Sequence, residues 1–536
     1  MYRTQCTFAE RSLVATSRDG MVVAPHFLAA EAGRAVLRDG GNAIEAAVAV
    51  AATIAVVYPH MNSIGGDGFW LIAHPDGRVV AIDACGRSAQ QATLDLYRGL
   101  EQVPWRGPLA ANTVAGAISG WGAALTCAAG NMPLSNLLSA AIHHAESGVR
   151  ITSGGAANAR TKSDELRIQP GSYAEIYEPQ GRPLQEGEIL RQPALANTLR
   201  RLSAEGLDSF YRGALADDIA HDLAALGSPV SATDLASHHA EQCAPLSTRV
   251  AGATLYNHRP PTQGIASLLI LALSDRLGTG SAESFAHVHG LVEATKQAFL
   301  WRDEHCGDPE WMDASPQELL SSSDRLDAMA SRIDPNRALP WPYPSQEGDT
   351  VWFGVADRDG CMVSCIQSTY FEFGSGLVLP RTGITWQNRG ASFRLAASGW
   401  NALKPGRKPF HTLNPAVCRF DDGRTMVYGT MGGEGQPQTQ AAIWSRVARY
   451  NVPLGEAVAR PRWLLGRTWG ENSTTLKLEE GFPPELYQDL AAAGHDVEVV
   501  ASANSMMGHA GAIMREAHGN LEGASDPRCD GMAAAC

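Results

Sequence analysis

The sequence predicts an α+β fold in which antiparallel sheet packs under helices, and three observations predict it. Helix-period and strand-period segments come in blocks, not in the strict alternation of a doubly wound sheet. Two hairpin turns, Pro75-Asp76-Gly77 and Arg358-Asp359-Gly360, are flanked by period-two runs. Apolar residues make up 44% and charged residues 18% of the 536, which supports a sizeable core and argues against global disorder.

From Ala29 to Val57, apolar and small residues recur at three- and four-residue steps, broken at Asp39-Gly40-Gly41-Asn42. Two helices are expected there; the second, almost all Ala, Val and Ile, should be buried on every side. Gly65-Gly66-Asp67-Gly68 leads into expected strands at Phe69–His74 and Val79–Asp83. Residues 115 to 335 read as mainly helical, with helices at Leu134–Ser147, Leu190–Ala204 and Ser281–Trp301 and a turn-rich break at His258–Gly264. The polar, Pro-rich run Pro340–Gly348 is expected to be exposed and open to cleavage. Strands follow at Val351–Asp357, Cys361–Ser368, Gly383–Gln387, Ala416–Phe420 and Thr425–Tyr428, then a helix at Gln438–Tyr450. There is no internal repeat.

The formal charge is 43 − 56 = −13, which argues against a nucleic-acid or anionic-membrane partner. The first twenty residues lack the apolar core and small-residue cleavage site of a signal peptide. No run reaches the roughly 18 apolar residues that a membrane span needs. A cytoplasmic location is therefore expected, with the ten cysteines as thiols. Cys361 and Cys365 lack zinc-knuckle spacing, and His143-His144 and His238-His239 read as surface or capping residues before metal ligands.

The chemistry centres on Thr350. It follows Gly348-Asp349 and opens a strand, where Thr is common for structural reasons alone. If the Asp349–Thr350 bond is cut, however, Thr350 gains an α-amine that titrates at about pH 8 and can take the proton of its own hydroxyl. Gly429-Thr430-Met431-Gly432-Gly433-Glu434-Gly435 lies between a strand and a helix. By spacing it reads as a tight turn; its N–H groups are also suited to an oxyanion. It matches neither a Walker nor a dinucleotide-binding pattern, and the H-E-x-x-H, G-x-S-x-G and S-x-x-K motifs are missing.

These residues, with others, resemble the γ-glutamyltransferase family. The similar motifs are Gly40–Ala47, Gly65–Phe69, Pro260–Gly264, Gly348-Asp349-Thr350, Phe373–Gly376, Gly432-Gly433 and Ser525–Gly531, in order from about residue 18 to 535. The resemblance implies the four-layer αββα sandwich of N-terminal-nucleophile hydrolases. It also implies autocleavage into a large subunit, 1–349, and a small subunit, 350–536, held as a heterodimer that can itself pair. It puts the nucleophile at Thr350, a supporting hydroxyl at Ser368 and the oxyanion hole at the N–H groups of Gly432 and Gly433. It implies no metal or organic cofactor.

Departures from the family pattern bear on the substrate. Ser392 stands where γ-glutamyl enzymes hold the donor ammonium with an Asp, and His411-Thr412 replaces their Ser-Ser pair. Their carboxylate-binding Arg is matched only by Arg87, displaced by a residue or two. Trp386–Gly390 and Pro409–Pro415 are instead similar to the family's amidohydrolase branch and offer Arg389 and His411 to a small anionic amide such as oxamate. The alternatives are a γ-glutamyltransferase, a γ-glutamyl hydrolase or related acylase, and an uncleaved binding protein, which intact Thr350, Gly432 and Gly433 disfavour.

Overall fold

The computed structural model describes residues 11–278, 280–343, 348–468 and 472–536. Residues 344–347 of the Pro-rich run, and the first ten residues of the chain, lie outside the described residues. Two seven-stranded sheets dominate. The first runs, in spatial order, Val14–Ser17, Leu521–Ser525, Ala510–Arg515, Thr425–Thr430, Ala416–Phe420, Ala253–Asn257 and Leu246–Val250. The second runs Met532–Ala535, Gly20–Ala24, Asp349–Asp357, Met362–Tyr370, Asp67–Ala73, Val79–Ala84 and Glu241–Cys243. Every pairing within these two sheets is antiparallel.

Side-chain alternation builds the layers. Along Asp349–Asp357, Trp352 and Ala356 face the other sheet and meet Met21, Phe69, Leu71, Val417, Val427 and Ile513. The intervening Val351, Phe353 and Val355 face outward into the cluster formed with the helices Phe27–Arg38 and Ala43–Val57. The first sheet's outer face, with Leu255, Cys418, Met426 and Met514, is covered by the helices Gly264–Ser274, Phe285–His305 and Gln436–Tyr450. Both faces of each sheet are buried, so the central strands read as continuous apolar runs. The result is the αββα arrangement, an α+β fold.

The expected helix pair is present, and Asn42 and Glu45 form a reciprocal capping box at the start of the second helix. All fifteen residues of that helix are buried. The Asp349–Asp357 and Met362–Tyr370 hairpin matches expectation within two residues. Gly383–Gln387 is not a strand. Gly383 adopts φ +68°, and the segment makes only isolated bridges, Val378–Thr385 and Gly65–Trp386. Its apolar residues Ile384 and Trp386 are buried by helices and loops, which explains the misleading hydrophobic pattern. All nine described cysteines are free thiols. Among the described residues no helix is long and apolar enough to cross a membrane.

Candidate active site

The site forms where the hairpin loses its regular register. Asp349 pairs with Tyr370, but Val351 pairs with Gln367, so Thr350 alone faces both Ser368 and Thr369. Tyr370 is driven to φ +85°, an uncommon conformation for a residue with a side chain. The irregularity brings the Ser368 hydroxyl onto the carbonyl oxygen of Asp349, to which it donates at 2.5 Å, while it accepts the Tyr370 N–H at 2.8 Å. That carbonyl belongs to the Asp349–Thr350 peptide bond. Thr350 is buried; its N–H donates to its neighbour's Asp349 Oδ1 at 2.8 Å, and its Oγ1 has no hydrogen-bond partner. Burial pushes the Asp349 carboxyl well above the usual carboxylate range, and the nearby Glu372 carboxylate adds to the shift.

The glycine loop lies beside this bond. Gly432 and Gly433 adopt φ +119° and +50°, which any side chain would strain, and lead into the helix Gln436–Tyr450. Neither N–H donates to another described residue. Gly433 packs on Gly348: a side-chain carbon at 348 would sit 3.3 Å from Gly433 Cα, 3.5 Å from the Tyr370 ring and 3.6 Å from Thr412 Oγ1. Gln263 fixes this corner by donating from Nε2 to the carbonyls of Thr412 (2.7 Å) and Gly433 (2.8 Å). Its own Oε1 accepts from Arg302, which also pairs with Glu434 at 3.2 Å.

Arg389 is buried on the same corner. Its guanidinium lies over the Tyr370 ring at 3.7 Å, Nε donates to the Phe410 carbonyl at 2.9 Å, and Nη1 reaches Thr412 Oγ1 at 3.4 Å. Nη2 is buried with no partner. Burial lowers the pKa of Arg389 below the ordinary guanidinium value, and no acid bonds to it. A buried guanidinium with an unused donor is costly unless an anion meets it. Ser392 Oγ shares the Phe410 carbonyl with Arg389 at 3.2 Å.

His411 bonds from Nε2 to Asp67 Oδ2 at 2.9 Å, and its Nδ1 is unpartnered. The other oxygen of Asp67 accepts the N–H groups of Gly86 and Gly116 at 3.0 Å each and Gln387 at 3.1 Å. Burial raises Asp67 to about 7 despite those donors, and pushes the His411 pKa well below its ordinary value, with Arg389 adding to that shift. Arg87 stands apart from this group. It is half-buried and engaged by Glu310 at 2.6 Å and Asp308 at 3.6 Å.

The family model described as gamma-glutamyltranspeptidase matches residues 29–536. The chain belongs to that family. It is 52% identical to the oxamate amidohydrolase proenzyme of Klebsiella pneumoniae over 97% of this chain and 98% of that protein. It is 39% identical to a glutathione hydrolase-like proenzyme of Bacillus subtilis over 98% and 99%. Among solved structures, a cephalosporin acylase from Bacillus halodurans superposes with a TM-score of 0.90 at 32% identity, covering 100% of this chain and 98% of that one. The γ-glutamyltranspeptidase-family chain is an amide-bond hydrolase of the N-terminal-nucleophile class.

Two groups of buried ligand-type side chains exist among the described residues: Asp67, Cys85 and His411, and His289, Glu293 and His495, each with ligand atoms within 4.8 Å of one another. Protein donors already serve both. Asp67 is saturated as above, and Lys296 Nζ sits 2.6 Å from Glu293 while the two imidazoles of the second group bond to each other at 2.9 Å. The structure thus brings together Thr350, Ser368, Gly433, Arg389, Ser392, His411 and Thr412 and leaves Arg87 outside. Sequence reasoning missed Asp67, Gln263, Tyr370, Asp349 and Glu372 as parts of the site. Asp67 and Gln263 lay inside quoted motifs, and the polar residue within each glycine motif was the available signal.

Proposed function

We propose that the chain cuts itself between Asp349 and Thr350 and that the freed Thr350 hydrolyses a small anionic amide, oxamate foremost, to oxalate and ammonia. The observation that carries this reading is the buried, unpartnered Nη2 of Arg389 beside Thr412 and the glycine loop. The similarity to a protein named for oxamate hydrolysis supports it.

In this reading the Thr350 amine takes the hydroxyl proton as Oγ1 attacks the oxamate amide carbon. The N–H groups of Gly432 and Gly433 hold the oxyanion. The amine returns the proton to the departing nitrogen, which leaves as ammonia, and water then cleaves the oxalyl ester to regenerate Thr350. Arg389 pairs with the substrate carboxylate, with Thr412 and His411 as hydrogen-bonding neighbours and the uncharged Ser392 at the pocket wall. A γ-glutamyl donor brings an α-ammonium instead. The Asp67 carboxyl, bonded to His411, is already occupied by four donors or partners and holds its proton up to about pH 7. Fragments 1–349 and 350–536 stay together as a heterodimer because strands of both are hydrogen-bonded side by side within each of the two sheets.

The test is ammonia release from small amides beside γ-glutamyl anilides, with N-terminal sequencing. The wild type should show two fragments, the smaller starting at Thr350, and a higher kcat/KM on oxamate than on γ-glutamyl donors. Thr350→Ala should stay one chain without activity. An intact but active wild-type chain, or γ-glutamyl turnover at least as efficient, rejects the reading.

A further inference from the structure

Cleavage by the Thr350 hydroxyl moves an acyl group from nitrogen to oxygen, and a proton must move the opposite way. The Thr350 amine cannot help at this stage because its nitrogen is still the amide. Histidine is not in contact with the bond either: His411 is tied to Asp67. Among the described residues, the titratable group that touches a reacting atom is the side chain of Asp349, whose Oδ1 lies 2.8 Å from the Thr350 nitrogen. Its other oxygen, Oδ2, is buried without a hydrogen-bond partner, as is Oε2 of Glu372.

Resting on the reading that the chain is cut before Thr350, we propose that the Asp349 carboxyl is the proton relay of that cut, a catalytic residue of maturation that leaves no role for itself in turnover. The carboxyl works in its neutral form. Thr350 Oγ1 is unpartnered in the uncut chain; as it turns to bond to the Asp349 carbonyl carbon it comes within reach of the carboxyl, and its proton passes to one carboxyl oxygen. As the carbon–nitrogen bond breaks, the proton already on the carboxyl passes to the Thr350 nitrogen. The products are an ester between Asp349 and Thr350 and a free amine, and the carboxyl ends as neutral as it began. Water then hydrolyses the ester. Ser368 supports the same step from the opposite side of the carbonyl, through its bond to the oxygen that becomes anionic.

The surroundings favour the neutral carboxyl. Asp349 is buried, and the Glu372 carboxylate repels a second negative charge, while Lys162 acts the other way. Lys162 stands 3.9 Å from Glu372, as does Arg106, which is bound in turn to Glu165. Tyr58 also feels this charge: burial first, then Asp530, to which its hydroxyl donates at 3.3 Å, and to a smaller extent Asp349 hold it uncharged. Autocleavage should therefore slow as pH rises through the raised pKa of Asp349. Removing the Glu372 charge should bring that decline to lower pH.

The experiment follows cleavage of freshly translated full-length chain by pulse-chase at several pH values, for wild type, Asp349→Asn and Glu372→Gln. Asparagine keeps an oxygen to accept the Thr350 N–H but cannot relay a proton. The expected result is a slowing of at least about a hundredfold in Asp349→Asn, the scale of positioned acid–base catalysis. The declining limb of the profile should also move to lower pH in Glu372→Gln. Cleavage of Asp349→Asn at the wild-type rate overturns the relay. So does an unshifted profile in Glu372→Gln, a readout in two chains that keep Asp349 and does not depend on how Asp349→Asn folds. A wild type not cut before Thr350 instead rejects the proposed function on which the relay rests, so the two failures are distinct.

Discussion

Arg389→Ala tests the substrate reading most directly, and the structure sets the size of the effect. Of the guanidinium donors, Nε is committed to the Phe410 carbonyl, Nη1 makes only a 3.4 Å contact to Thr412, and Nη2 is unused. A substrate carboxylate therefore gains one well-made charge-assisted bond, worth about 1.5–3 kcal/mol. At about 1.4 kcal/mol per tenfold, its loss lowers kcat/KM on oxamate by about ten- to a hundredfold. The same substitution leaves a cavity against Tyr370, but the Phe410 carbonyl keeps its bond from Ser392. The neutral diamide oxamide separates the two effects, because the cavity acts on both substrates and the missing charge on one. The assay is ammonia release from oxamate and oxamide by wild type and Arg389→Ala, with the fragments checked by gel to show that autocleavage is intact. Equal losses on both substrates, or no loss on oxamate, refute the carboxylate contact.

Ser368→Ala removes the donor on the scissile carbonyl and should slow autocleavage by about a hundred- to a thousandfold, the usual effect of an oxyanion donor; pulse-chase at fixed pH measures it. Asp67 carries the pH dependence of binding. Its pKa, raised to about 7, means that it is neutral below and anionic above that pH, and it lies in the field of Arg389. An anionic amide should therefore show a KM that rises as pH passes through about 7, and Asp67→Asn should flatten that rise. Arg462→Met breaks the buried network in which Arg462 meets Asp526 at 2.5 Å and Arg528 bridges Asp526 and Glu479. Leaving a buried carboxylate short of a partner should cost about 3 kcal/mol, seen as a lower urea midpoint; an unchanged midpoint counts against it.

The parts of this fold that were legible in the sequence are those whose cause is local. The helix pair before Val57 follows from periodicity and a capping box, and the hairpin around Arg358-Asp359-Gly360 follows from turn chemistry between two apolar runs. Gly383–Gln387 failed because Ile384 and Trp386 are apolar for burial under helices, which imitates a strand over a short stretch. The site divides in the same way. Thr350 and the glycine loop were legible as residue types suited to one chemistry, and Arg389 as a cation in a run lacking its usual acid. The bonds that organise them were not, since His411 reaches Asp67 across 344 positions and Gln263 reaches Thr412 across 149. Nor does any spacing announce that Thr350 faces two residues of the next strand, the irregularity that sets Ser368 on the Asp349 carbonyl.

That irregularity also connects maturation with turnover. Gly348 lies directly against Gly433, Tyr370 and Thr412, so the segment before Thr350 occupies space beside the glycine loop and Arg389. Gly348 also donates its N–H to the Thr468 carbonyl at 3.2 Å, which holds it there. In the proposed mechanism, one cut therefore does two things: it makes the Thr350 amine, and it frees the end that covers the carboxylate site. The sheets do not come apart, because Asp349–Asp357 lies between Gly20–Ala24 of the large fragment and Met362–Tyr370 of the small one, and Ala416–Phe420 pairs with Ala253–Asn257 across the same division. In that mechanism the strained Tyr370 sits opposite Asp349, beside the bond that is cut while its neighbours hold register.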